Sequence, residues 1–180
     1  MNASFGGPQN PVPIPKDELA RIRGDVEKAI GAKKCADFLT TLLDEAAVQS
    51  GQPYRDIMVT FDNTKFSYGN TGAYGGYATG SFETDTAGAV LHPFESNFIS
   101  ADRSSFIRMQ TAQNALGETL HHVGTHEAYD DATMANALNA ILVRQGKDNP
   151  QRFPGRTVAE VQKASMYWHP KVFTACSMRY

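Results

Sequence analysis

The chain has 180 residues, a length that suits one domain with its own hydrophobic core. Hydrophobic residues make up 41% of it and charged residues 20%, as is usual in globular proteins. Lys and Arg number 17 against 19 Asp and Glu, and this near balance argues against a nucleic-acid surface built on net positive charge. No run of about 18 apolar residues is present, so we expect no membrane-spanning helix.

The first fifteen residues are rich in glycine and proline. They are predicted to form an extended leader or linker, 1–15, ahead of a single domain, 16–180. The start lacks the charged and apolar regions of a secretory signal. The chain could be a domain excised from a larger polypeptide or the product of a larger precursor.

Two amphipathic helices are predicted after the leader. The first runs from Lys16 to Gly31, with apolar residues at every third or fourth position. The second covers roughly 34–48 and carries one apolar stripe, and Gly51 with Pro53 would end it.

Residues 54–100 have a different composition. The stretch "DIMVTFDN" (56–63) is predicted to be a strand, and the Gly-, Tyr- and Thr-rich residues that follow predict short strands with glycine turns. A further strand is predicted in "AGAVLHPF" (87–94). The aromatic residues of the Tyr/Gly-rich region, 66–82, could line a binding groove, although such a pattern more often packs a thin sheet against helices.

The C-terminal half is again helical in pattern. An apolar stripe predicts one helix from Ser104 to about Val123, and a second follows with Asp130 or Asp131 as N-cap and Gly146 as its end. The tail is predicted to hold a short helix at 157–166 and then an aromatic end. The fold class is therefore α+β, with helices at both ends of the chain packed on a small, antiparallel sheet.

The two cysteines lie near opposite ends of the chain. Cys35 and Cys176 could form a disulfide that closes a long loop, or they could be two separate buried thiols, and the sequence leaves both open. The pair gives only a weak indication of an oxidising, secreted or cell-surface location.

Three of the five histidines lie together with four acidic residues in "ETLHHVGTHEAYDD", residues 118–131. On a continuous helix, His122 and His126 would lie one turn apart on one face, and Asp130 would extend that face by another turn. Two imidazoles at this separation can chelate a zinc ion. His121 is a further candidate ligand.

This stretch resembles the zinc-binding helix of zincin metallopeptidases, Thr-x-x-His-Glu-x-x-His, with Thr119, His122 and His126 in register. The order of "CADFL" (35–39), the Gly/Thr-rich region, the histidine helix and "TAC" (174–176) is also similar to zincin-like domains at the C-terminal ends of large bacterial surface and repeat proteins. The resemblance implies a zinc-dependent peptide hydrolase, a toxin or processing module, acting on a protein or peptide.

The resemblance has one departure at the catalytic position. Val123 stands where the family has the glutamate that acts as general base. Two substitutes are conceivable: Glu127, which follows His126 directly, and Glu118, one turn before His122. Glu127 and Glu118 are therefore the candidate catalytic residues.

Other interpretations of the same residues stay open. Gly124 could end the helix, with Asp130 or Asp131 as a cap of the next one. Glu118 and His121 also have the Glu-x-x-His spacing of carboxylate-bridged di-iron bundles, but the further inward glutamates of such bundles are missing. His169, in "YWHP", could be a third ligand or part of a packed aromatic end.

Two other function classes are also compatible with the sequence. The chain could be a non-catalytic binding module that uses the Tyr/Gly-rich region, 66–82. It could also be an enzyme in which His121 or His126 acts as general base without a metal.

Overall fold

The computed structural model describes residues 9–71, 76–79, 86–91, 101–124 and 129–178. Within these ranges the chain forms six helices and one four-stranded sheet, so the predicted α+β class is confirmed. The strands are β1 (Gln9–Pro13), β2 (Lys65–Asn70), β3 (Gly76–Thr79) and β4 (Gly88–Leu91). The helices are α1 (Lys16–Gly31), α2 (Lys33–Ser50), α3 (Ile57–Asp62), α4 (Ala101–His121), α5 (Asp131–Arg144) and α6 (Val158–Ala175).

The sheet is mixed, which corrects the expectation of an antiparallel one. Its strand order is β1-β2-β4-β3. β2 pairs antiparallel with β1, and β3 pairs antiparallel with β4, but the two central strands β2 and β4 run parallel. A parallel pair needs a long crossover rather than a hairpin, and β3 lies within that connection as the edge strand beside β4.

Two segments adopt structures that the sequence did not predict. The run "DIMVTFDN" forms α3 rather than a strand, because Asp56 caps a helix there by accepting a hydrogen bond from the backbone N–H of Val59 (3.0 Å). Residues 9–13 of the predicted leader form β1, an edge strand of the sheet, and Ile14 directly after it is buried in the core.

The last helix, α6, is longer than the predicted 157–166. It begins in a capping box, in which Thr157 and Glu160 satisfy each other's backbone N–H groups, and it continues through Pro170 to Ala175. Tertiary contacts offset the backbone hydrogen bond that proline removes, because Trp168 and Val172 on either side are fully buried. The predicted aromatic end is therefore the second half of this helix.

A disulfide joins Cys35 of α2 to Cys176, the C-cap of α6. Of the two alternatives that the sequence left open for the cysteines, the structure has the disulfide. The bond fixes the end of α6 against α2 in the hydrophobic core, which α1, α2, α4, α5 and α6 share. No described helix is long and apolar enough to cross a membrane.

Candidate metal centre

The C-terminal end of α4 carries the first two residues of the candidate site. Glu118 and His121 are one helical turn apart, and both side chains are almost completely buried. β3 crosses directly over Glu118: a Cβ added to Gly76 would lie 2.7 Å from Glu118 Cγ. The backbone N–H of Ala78 on the same strand donates to the Glu118 carboxyl group.

A distant arginine caps the end of α4. The helix stops at His121, and Arg55 Nη1 donates to the carbonyl oxygens of Gly124 (2.8 Å) and His122 (3.2 Å). The backbone N–H of Arg55 also donates to the carbonyl of Val123 (2.8 Å). These bonds satisfy carbonyl groups that a continued helix would otherwise have used.

His121 is oriented by a backbone carbonyl. Its Nδ1 lies 2.8 Å from the carbonyl oxygen of Tyr129, and because a carbonyl only accepts, Nδ1 carries the proton and donates. Tyr129 is fully buried and donates from its own hydroxyl to the carbonyl of Gln52 (2.8 Å), which holds the chain in place here. His121 therefore presents Nε2, its unprotonated nitrogen when neutral, to the interior.

His169 comes from α6 and faces the same point. Its Nδ1 lies 2.8 Å from the hydroxyl of Ser165, one turn earlier on the helix. The ring packs on Trp168, with centroids 3.8 Å apart, and stacks parallel to Phe173 at 5.8 Å. With Nδ1 engaged by Ser165, Nε2 is the nitrogen left for another partner.

Asp131, the first residue of α5, supplies a carboxylate. It is 4% exposed, and its Oδ1 accepts a hydrogen bond from the indole N–H of Trp168 (2.9 Å). The same oxygen lies 3.7 Å from His121 Nε2. Since α5 begins at Asp131, its carboxyl group lies at the positive end of the helix dipole.

The three side chains form a group that could hold a metal ion. One ligand atom from each of His121, Asp131 and His169 lies within 4.8 Å of the others. Two ligand atoms on a tetrahedral zinc ion lie about 3.4 Å apart, so small side-chain rotations would bring the set to coordinating distance.

Unsatisfied polar atoms support this interpretation. Within the described part of the chain, His121 Nε2, His169 Nε2 and Glu118 Oε2 are buried and have no hydrogen-bond partner. A buried polar atom left without a hydrogen-bond partner costs about 1–3 kcal/mol, and a metal ion bound by the two histidine nitrogens would remove part of that cost. Each histidine also has its Nδ1 hydrogen-bonded, which is the usual arrangement behind a metal-binding imidazole.

Burial and the charges of neighbouring groups shift the pKa values of Glu118, His121 and His169. Burial raises the pKa of Glu118 to about 7, although His121 opposes the shift. Burial lowers the pKa of His121, but the carboxyl groups of Asp131 and Glu118 outweigh it and the pKa is raised. Burial, with a contribution from His121, holds the pKa of His169 well below its ordinary value, so this ring is neutral and able to bind a metal.

The chain has no significant match among protein-family models, curated proteins or solved structures.

The structure separates the residues that the sequence grouped together. His122 donates from Nε2 to the carbonyl of Gly88 on β4 (2.8 Å) and is not part of the three-residue group. Asp130 is exposed and caps α5 by accepting from the N–H of Thr133 (2.8 Å), as one of the alternatives had it. Because α4 ends at His121, the continuous helix that would align His122, His126 and Asp130 on one face is not formed.

Two of the candidate residues, His126 and Glu127, lie outside the described residues. Their roles as ligand and general base stay predictions. His121 and Glu118, also candidates from the sequence, are both at the site. Asp131, a predicted helix cap, also joins the group, and so does His169, for which the sequence left a third ligand and a packed aromatic end open.

Proposed function

We propose that the chain is a zincin-like, metal-dependent hydrolase with zinc held by His121, His169 and Asp131. The proposal rests on one observation: a ligand atom from each of the two histidines and the buried carboxylate lies within 4.8 Å of the others, and both histidine Nε2 atoms lack a hydrogen-bond partner among the described residues. Two histidines and one carboxylate are a common ligand set of catalytic zinc, which leaves one coordination position open. Zinc bound there would polarise a carbonyl group and acidify water.

Glu118 is the residue we assign as general base. Its buried carboxyl group interacts electrostatically with both His121 and Asp131, and its Oε2 has no partner among the described residues. A carboxyl group with a pKa of about 7 can accept a proton from an attacking water and return it to a leaving amine near neutral pH. The resemblance to zincins makes a peptide bond of a protein or peptide the proposed substrate.

The same ligand set also occurs in iron(II) oxygenases, where two histidines and one carboxylate leave several positions open. Glu118 favours the hydrolase, because a buried base beside the metal is needed to activate water. Activity separates the two classes, since an oxygenase needs iron(II) and O₂ whereas the hydrolase works with zinc.

The binding-module alternative receives less support from the described part of the Tyr/Gly-rich region, 66–82. Phe66 is buried and packs on Phe61, with ring centroids 4.6 Å apart. Tyr68 donates from its hydroxyl to Glu18 (2.5 Å). Both side chains stabilise the domain, while Tyr74 and Phe82 lie outside the described residues, so the alternative stays a prediction.

Metal content of two neighbouring histidine variants tests the proposal. Wild-type protein, purified without chelators and supplied with zinc, should hold about one ion per chain by elemental mass spectrometry. His121→Ala should lose it, and His122→Ala, a matched change at a buried histidine bonded to Gly88, should keep it. The absence of zinc from wild type would refute the proposal, and loss in His122→Ala alone would restore the original pairing with His126.

The role of Glu118 needs a separate variant. Glu118→Gln should retain zinc but hydrolyse a mixed peptide library about 10²–10⁴-fold more slowly than wild type. Equal hydrolysis by the two proteins would exclude Glu118 as the base. The matched change Glu127→Gln distinguishes the second candidate.

A further inference from the structure

The zincin motif His-Glu-x-x-His can be aligned on the chain with His121, instead of His122, as its second histidine. Two ligands on one helix are placed four residues apart, so the partner of His121 on α4 would be residue 117. That residue is Gly117, and Glu118 follows it directly. In this alignment the glutamate of His-Glu-x-x-His is present and only the first histidine is missing.

The space that a side chain at position 117 would fill is occupied by His169. A Cβ built on Gly117 would lie 3.2 Å from Nε2 of His169, 3.4 Å from its Cδ2 and 3.9 Å from its Cε1. The contact is thus made by the nitrogen that has no partner, and it is tighter than an ordinary carbon contact. Gly117 is buried, so no side chain there could turn out to solvent.

We infer that His169 replaces the first histidine of the motif, and that Gly117 is glycine because the imidazole from α6 needs its space. The inference depends on the proposed metal site and adds the origin of one ligand. It gives Glu118 the sequence position of the general base, directly after the first ligand position. It also makes α6 necessary for metal binding, whereas a motif confined to α4 would not need it.

Moving the ligand back to α4 is the decisive experiment. His169→Ala should weaken zinc binding more than about a hundredfold, since even outer-shell changes at metal sites cost 10–100-fold. The double variant Gly117→His/His169→Ala should recover affinity to within about tenfold of wild type. Affinity is measured by competition with a chromophoric chelator, and the cobalt(II) absorption spectrum reports whether tetrahedral coordination returns.

A smaller change at position 117 tests the close contact itself. Gly117→Ala should weaken zinc binding by about tenfold, because the new methyl group displaces His169 Nε2. Gly24→Ala is the matched control: Gly24 also lies inside a helix, but a Cβ there meets nothing within 4 Å. Zinc affinity of Gly24→Ala should equal that of wild type.

The outcomes distinguish this inference from the proposed function. If wild type binds no zinc, the proposed function itself fails. If wild type binds zinc and His169→Ala binds it equally well, the site stands and the inference fails. A double variant that is folded by circular dichroism but binds no better than His169→Ala would also overturn the inference.

Discussion

Two polar clusters include residues of both α5 and α6, and their hydrogen bonding differs. In the first, Asn139 donates to the carbonyl of Asn149 (3.0 Å) and to the hydroxyl of Tyr167 (3.0 Å), and accepts from the N–H of Gln151 (2.9 Å). Tyr167 in turn donates to Asp148 (2.5 Å). These groups satisfy one another's hydrogen-bonding capacity, so the cluster needs no ligand to be stable.

The second cluster is the candidate metal centre, two residues further along α6 at His169. Here His121 Nε2, His169 Nε2 and Glu118 Oε2 have no hydrogen-bond partner among the described residues. A folded protein rarely keeps such atoms unless something else binds them. The difference agrees with a structural role for the Asn139 cluster and with the metal ion proposed for the histidine cluster, and the following experiments test this distinction.

The largest expected effect is on the scaffold that both clusters share. Cys35→Ser/Cys176→Ser removes a cross-link between residues 141 apart, which in the chain-entropy model lowers the free energy of unfolding by about 5 kcal/mol. Urea denaturation of the variant measures the loss, and wild type unfolded with a reductant present is the control. A loss below about 1 kcal/mol would show that the disulfide contributes little to holding α6.

The second-largest expected effect is the stabilisation of the folded protein by zinc, which should depend on the histidine cluster alone. Zinc at a thousandfold excess over its Kd should raise the free energy of unfolding of wild type by about 4 kcal/mol. Asp131→Asn keeps an oxygen for the Trp168 indole but removes the charge, so this zinc-dependent increment should fall by more than half. Urea denaturation with and without zinc measures it, and an unchanged increment would remove Asp131 from the ligand set.

The helices could largely be predicted from the sequence, because their apolar spacing is a local property. The bounds of α1 agree with the prediction, and the predicted N-cap Asp130 caps α5. α3 was missed because a run rich in Ile, Val and Thr favours a strand, and the cap at Asp56 overrides that preference. The parallel pairing of β2 and β4 has no local signal at all.

The site could be predicted only in part, for a related reason. Glu118 and His121 belong to one local motif and were found, but the preferred pair was His122 and His126, whose spacing requires α4 to continue. Arg55, 67 residues before His122, caps α4 through long-range contacts that no local pattern encodes. His169 likewise reaches the site only through the packing of α6, 48 residues after His121.

A smaller effect is expected from the Asn139 cluster, and on stability alone. Asn139→Ala leaves the N–H of Gln151 and the hydroxyl of Tyr167 with fewer partners, so the free energy of unfolding should fall by about 2–3 kcal/mol. The zinc-dependent increment should stay as in wild type. Zinc binding that fell together with stability would show that the two clusters are one unit, against the distinction drawn here.

The smallest effect concerns the hydrogen bond between Tyr167 and Asp148, and it should depend on pH. Hydrogen bonding from Tyr167 lowers the pKa of Asp148 below its ordinary 3.8. A carboxyl group with a depressed pKa stabilises the folded state above its unfolded pKa, and this contribution is lost as the pH falls through the folded pKa. Tyr167→Phe should therefore lower the free energy of unfolding at pH 7, and by less below pH 3.

Denaturant unfolding of wild type and Tyr167→Phe at the two pH values measures that difference. Met166→Ala is the control, since Met166 is the neighbouring residue on α6 and is 76% exposed. A deficit of Tyr167→Phe that is equal at pH 7 and below pH 3 would mean that the hydrogen bond from Asn139 to the tyrosine hydroxyl, and not the bond to Asp148, accounts for the stabilisation. Because His169 lies two residues away, unchanged zinc binding in Tyr167→Phe would also show that the hydrogen bonds of the first cluster are not needed to position the ligand of the second.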